Sequence, residues 1–191
     1  MSRELSVIRA ALVEPPEEGG RPWLVEELWG AGAVGVIGGA PKSCKSWLAL
    51  ELAVAVASGR PALGRFAIGV PGSALVYAAE DAPAQVRDRL EHLARARGAD
   101  FDALEVRLIV EPSLRLDRAE DLARLRATLE RHRPRLLVLD PYVRLQRADE
   151  NNATEVAAIL GALRELSRTF NLAIVLVHHA RKGGDLGEGL R

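Results

Sequence analysis

Apolar residues fall into two patterns that alternate along this chain. Short runs at 33–38, 73–79, 106–110, 135–139 and 172–177, most of them continuously apolar, have the length and aliphatic content of strands buried on both faces. Between them lie helical stretches. The stretch 45–58 is built of small and apolar residues; 82–97 places Val86, Leu90, Leu93 and Ala94 on one face; 117–132 does the same with Leu122, Leu125 and Leu129. A fourth, 153–170, buries Val156, Ile159, Leu160, Leu163 and Leu166. This alternation predicts an α/β fold in three layers, a parallel sheet flanked by helices. Residues 22–29 have apolar positions near helical spacing, so Trp23 and Trp29 read as core or edge packing residues of a short helix that Gly30 and Gly32 break, with base stacking as the lesser alternative. Residues 1–21 contain Pro15-Pro16 and Glu17-Glu18-Gly19-Gly20, a loose lead-in. The core domain is therefore 22–191.

In a parallel sheet ligands bind beyond the carboxyl ends of the strands. Here those ends carry Gly39-Ala40-Pro41-Lys42-Ser43-Cys44-Lys45-Ser46-Trp47, Glu80-Asp81, Asp140-Pro141 and His178-His179. The first is a strand–glycine turn–helix, the context of a phosphate-binding loop, in which backbone N–H groups and the helix N-terminus cradle phosphate oxygens. Lys45 would reach the β- and γ-phosphates of ATP and Ser46 would ligate Mg²⁺. One letter departs from G-x-x-x-x-G-K-[ST]: Cys44 stands where the second glycine is expected, at a place where backbone approaches phosphate and φ can be positive.

Asp140 closes an apolar strand in the manner of a Walker B acid and would hold Mg²⁺ directly or through water; its structural alternative is a turn or helix cap. Asp81 is a natural N-cap for the helix after it. That leaves Glu80 without structural duty and available as the base or water-orienting group. A histidine at a strand end is more often structural than catalytic, and His178 and His179 gain weight only in this company. Trp47, one residue beyond Ser46, either packs inward or lines the pocket, with inward packing the expectation.

Composition narrows the setting. Lysine plus arginine and aspartate plus glutamate both number 26, so the formal charge is zero and bulk electrostatics gives no argument for nucleic-acid binding. One cysteine excludes an intrachain disulfide framework and suits a reducing compartment. No apolar run is long enough to span a bilayer and residues 1–20 lack a signal-peptide core, so a cytoplasmic protein is expected, with no membrane partner.

Taken in order, the segment 39–47, Tyr77-Ala78-Ala79-Glu80-Asp81 with Arg87 and Arg89, Leu137-Val138-Leu139-Asp140-Pro141 with Arg144-Leu145, Asp149-Glu150-Asn151-Asn152, and Val177-His178-His179-Ala180-Arg181-Lys182 resemble the RecA-fold P-loop ATPases of the RepA-like replicative helicase group. The resemblance covers 23–191. It implies that the catalytic acid falls on Glu80, the Mg²⁺-associated acid on Asp140, the γ-phosphate-sensing position on His178 or His179, and a nucleotide-proximal arginine on Arg89. It further implies ring-shaped homo-oligomers, usually hexamers, with ATP at subunit interfaces and single-stranded DNA in the channel. The chain stops soon after its fifth strand, where such proteins continue into further strands and an interface arginine; it reads as a truncated core, with Arg181, Lys182 or Arg191 as local substitutes. The alternative is a nucleotide-binding regulatory or assembly module with impaired hydrolysis.

Overall fold

The computed structural model describes residues 8–12, 23–146 and 153–179. The region outside them holds most of the lead-in, Asp149–Asn152, Arg181, Lys182 and Arg191. In chain order the elements are β1 (Trp23–Val25), β2 (Trp29–Gly30), β3 (Val34–Gly39), α1 (Lys45–Ser58), β4 (Ala74–Ala78), α2 (Pro83–Ala96), β5 (Val106–Leu108), α3 (Ala119–His132), β6 (Leu136–Asp140), α4 (Ala153–Phe170) and β7 (Ala173–His179), with single 3₁₀ turns at Ala10–Leu12, Phe101–Ala103 and Tyr142–Leu145.

Five strands form one parallel sheet in the order β3-β7-β6-β4-β5. Their side chains alternate between two cores, as a pleated strand requires. Val76, Val138 and Val175 face one core with α1 and α2; Tyr77, Leu137, Leu139, Ile174 and Leu176 face the other with α3 and α4. The expected α/β architecture is present. Helix α1 runs over the middle of the sheet with every residue from Ala49 to Val56 buried. That explains its all-round apolar sequence, in contrast to the amphipathic α2, α3 and α4.

The helix expected over 22–29 does not form. Trp23–Val25 pairs antiparallel with Trp29–Gly30 in a separate two-stranded ribbon, turned at Glu27 in the left-handed region (φ 59°). Glycines at 30 and 32 and β-forming Trp and Val residues favour the hairpin over a helix of barely two turns. Trp29 lies across Gly35 of β3: a Cβ at that glycine would sit 2.6 Å from Trp29 Cζ2. Glycine at 35 is therefore a requirement of close packing.

Candidate functional site

Parallel pairing brings the carboxyl ends of four strands to one edge. Gly38 and Gly39 of β3 are register partners of His178 and His179 of β7, and Ala78 of β4 is the partner of Asp140 of β6. Ala79 N–H donates to the Asp140 carbonyl at 2.7 Å, which extends that pairing to the residue before Glu80. A cavity of about 390 Å³ opens there, lined by Lys42 through Trp47, Ala78, Glu80, Asp81, Arg89, Asp140 and Pro141.

The loop at 39–44 is shaped by backbone conformation. Lys42 and Cys44 are left-handed, with φ of 64° and 59°. Cys44 is the N-cap residue of α1, makes no side-chain cap hydrogen bond, and leaves its thiol exposed. The L-residue thus adopts the positive-φ conformation for which glycine is favoured, at some cost in strain. Gly39 comes close enough to the loop that a Cβ there would meet Ser43 Oγ at 3.1 Å. Ser43 Oγ donates to the Ala40 carbonyl at 2.8 Å, and Lys45 Nζ donates to the same carbonyl at 2.6 Å. Lys45 is buried, and its ammonium is folded back on the loop it serves.

Asp140 is also buried, at the end of β6. Ser46 and Asp140 both line the cavity, and a hydroxyl with one carboxylate is the sparse set of hard oxygen donors through which Mg²⁺ binds proteins, keeping waters and phosphate oxygens as its other ligands. Among the described residues no group of three or more His, Cys, Asp or Glu could hold a metal ion.

Several expectations change. Asp81 does not cap α2: the N-cap is Ala82, with Pro83 in the first turn, where proline is preferred. Asp81 instead accepts two hydrogen bonds from Arg89, NH1 to Oδ2 at 2.6 Å and NH2 to Oδ1 at 3.0 Å. Trp47 does not pack inward. It is 41% exposed, lines the cavity, and carries the Arg89 guanidinium 5.8 Å from its ring centroid. Glu80 has a partner after all, Arg144, whose Nε donates to Oε1 at 2.9 Å. The Pro83 position in the sequence was a signal against Asp81 as cap; nothing local signalled the pairing of Glu80 with a residue 64 positions away.

The γ-phosphate-sensing candidates lie differently. His178 is at the same edge but not in the cavity lining; its ring meets Tyr142 edge-on, centroids 6.5 Å apart. His179 is placed by its backbone as the last residue of β7. Gly39, Ala40 and Pro41 form the base of the loop, and the cavity wall begins at Lys42.

Sheet topology, the glycine loop ahead of α1, and Lys45, Ser46, Glu80 and Asp140 around one cavity define a P-loop nucleotide-binding domain. The model of the AAA domain family matches residues 3–185, and the chain belongs to that family of P-loop NTPases. No curated protein matches the chain. Among the described residues no helix is long and apolar enough to cross a membrane.

Proposed function

We propose that this domain binds Mg-ATP and hydrolyses it, as a RecA-like motor of the RepA-like helicase type. The observation that carries the proposal is the convergence of Lys45, Ser46, Glu80 and Asp140, from three separate strand ends, on one cavity. In this reading Lys45 supplies positive charge to the β- and γ-phosphates, and Ser46 and Asp140 hold Mg²⁺. Bound Mg²⁺ supplies charge neutralisation on the phosphate oxygens. Glu80 orients the attacking water by accepting a hydrogen bond from it, and Trp47 with Arg89 forms the wall beyond the phosphates. Positioning and electrostatics of this kind account for most of the catalysis in phosphoryl transfer. His178 or His179 would report the state of the γ-phosphate to the sheet edge. Assembly into a homo-oligomeric ring around single-stranded DNA in plasmid or phage type replication is the wider form of the proposal and rests on the sequence resemblance; a cytoplasmic setting rests on the single cysteine and the short apolar runs.

A second reading has a specific observation behind it. Cys44 occupies a left-handed loop position beside Lys45, so the loop can bind phosphate yet hold it imperfectly. The domain would then use nucleotide for assembly or regulation with little turnover. An ATPase and Mg-ATP binding assay on the native chain, Cys44→Gly and Lys45→Ala, with and without single-stranded DNA, separates the two. Turnover abolished by Lys45→Ala supports hydrolysis, and stimulation by DNA supports the motor. Binding without turnover, restored by Cys44→Gly, selects the regulatory reading; no Mg-ATP binding by the native chain overturns both. Light scattering with nucleotide tests the ring.

A further inference from the structure

The geometry points to Arg144 as the residue that positions Glu80 for hydrolysis, an inference that rests on the catalytic reading above. Arg144 does not line the cavity, whereas Glu80 does. It acts from behind, with Nε donating to Oε1 of Glu80 at 2.9 Å across the gap between the end of β4 and the turn that follows β6.

That turn is a fixed platform. Leu145 is fully buried, and its carbonyl accepts the Leu116 N–H at 2.7 Å. The Arg115 guanidinium donates to the Gln146 carbonyl at 2.5 Å. Tyr142, buried on the same turn, meets the His178 ring. The backbone that carries Arg144 is therefore held by the β5–α3 connection on one side and β7 on the other. The arginine side chain leans out from it, 61% exposed, towards a Glu80 side chain that is 44% exposed.

An ion pair this open contributes little to folding. Its consequence is orientational: a carboxylate at the end of a strand keeps rotamer freedom, and a guanidinium N–H from an anchored turn restricts it to the arrangement that faces the cavity. Preorganisation of an acting group by a partner that never touches substrate is the pattern by which outer residues control rate.

The test is steady-state ATP hydrolysis and equilibrium binding of a fluorescent ATP analogue for the native chain, Arg144→Gln, Arg144→Lys, Glu80→Gln and the Arg144→Gln/Glu80→Gln double variant. In nucleotide-free protein, ¹⁵N spectra should show the Arg144 Nε–H resonance moving on Glu80→Gln. Arg144→Gln should lower kcat roughly tenfold to a hundredfold, the range for loss of an outer orienting partner. KM and analogue affinity should stay within about twofold, Arg144→Lys should recover part of the loss, and the double variant should be no slower than Glu80→Gln. Arg144→Gln turning over as fast as or faster than the native chain, a loss seen only in KM, or an additive loss in the double variant overturns the inference while leaving the hydrolytic function intact. A native chain that binds Mg-ATP without turnover overturns both, and is recognised by the native control alone.

Discussion

Asp81 grips Arg89 with both carboxylate oxygens, at 2.6 and 3.0 Å, and the gripped guanidinium lies over Trp47 in the first turn of α1. One aspartate thus links the end of β4, helix α2 and the phosphate loop. The two side chains are about a quarter exposed, so the pair is worth more than an open surface bridge but still on the order of 1 kcal/mol. Asp81→Asn should release Arg89 from the indole, weaken Mg-ATP binding roughly fivefold and change Trp47 emission. Binding titrations beside a Trp47→Phe control check this. Unchanged affinity and emission would show that the stack has no part in the site.

Cys44 makes a prediction of opposite sign. Its φ of 59° and ψ of 21° are the left-handed conformation, where a Cβ is crowded and glycine is not. Cys44→Gly removes strain from the folded state and adds some entropy to the unfolded one, leaving a net stabilisation of about 0.5–1 kcal/mol. For a chain of this size that raises Tm by about 1–4 °C, measured by calorimetry. A fall in Tm would mean that the thiol makes a contact that outweighs the strain.

Gly35 has the reverse dependence on its side-chain hydrogen. Gly35→Ala drives a methyl into the Trp29 indole and should destabilise the fold by about 1–3 kcal/mol, the range for overpacking. In a Trp29→Leu background most of that penalty should vanish. Denaturant unfolding of the four variants gives the coupling directly, and additive effects would disprove the contact.

Away from the site, Glu51 in α1 is buried and receives Arg97 Nε at 2.8 Å and the Leu63 N–H at 2.7 Å. Burial also pushes the Arg97 guanidinium below its usual arginine range. The folded value is depressed relative to the unfolded one, so stability attached to this group changes only in strongly alkaline solution. Glu51→Ala leaves the Leu63 amide without its acceptor and the Arg97 cation with the Pro61 carbonyl but no carboxylate, and should cost roughly 3–5 kcal/mol. Glu51→Leu with Arg97→Met should lose much less, as read by urea unfolding.

Legibility in the sequence followed the range of the forces involved. Helix α1 was readable to its ends because Gly59 stops it in a left-handed conformation and Lys45-Ser46 opens it. The central strands β4, β6 and β7 were readable because each is a continuous apolar run covered by helices on both sides. The spacing over 22–29 predicts a helix where the chain forms a hairpin, since eight residues cannot distinguish the two when a tertiary contact, Trp29 on Gly35, decides. Asp81 reads as a cap by residue type, whereas Pro83 marks Ala82 for that position.

The sequence by itself determined the chemistry on offer: a lysine and serine at the start of a helix, an acid after each of two apolar strands, histidines after a third, and a cysteine where glycine is expected. These are local facts, set by residue type and by the strand or helix on which each residue sits. Only the tertiary structure decided who meets whom. The strand order β3-β7-β6-β4-β5 puts Asp140 beside Ala78, joins Glu80 to Arg144 across 64 residues, and leaves His178 against Tyr142, outside the cavity lining. Contacts between distant segments depend on how the whole sheet and its helices pack, which no local pattern encodes.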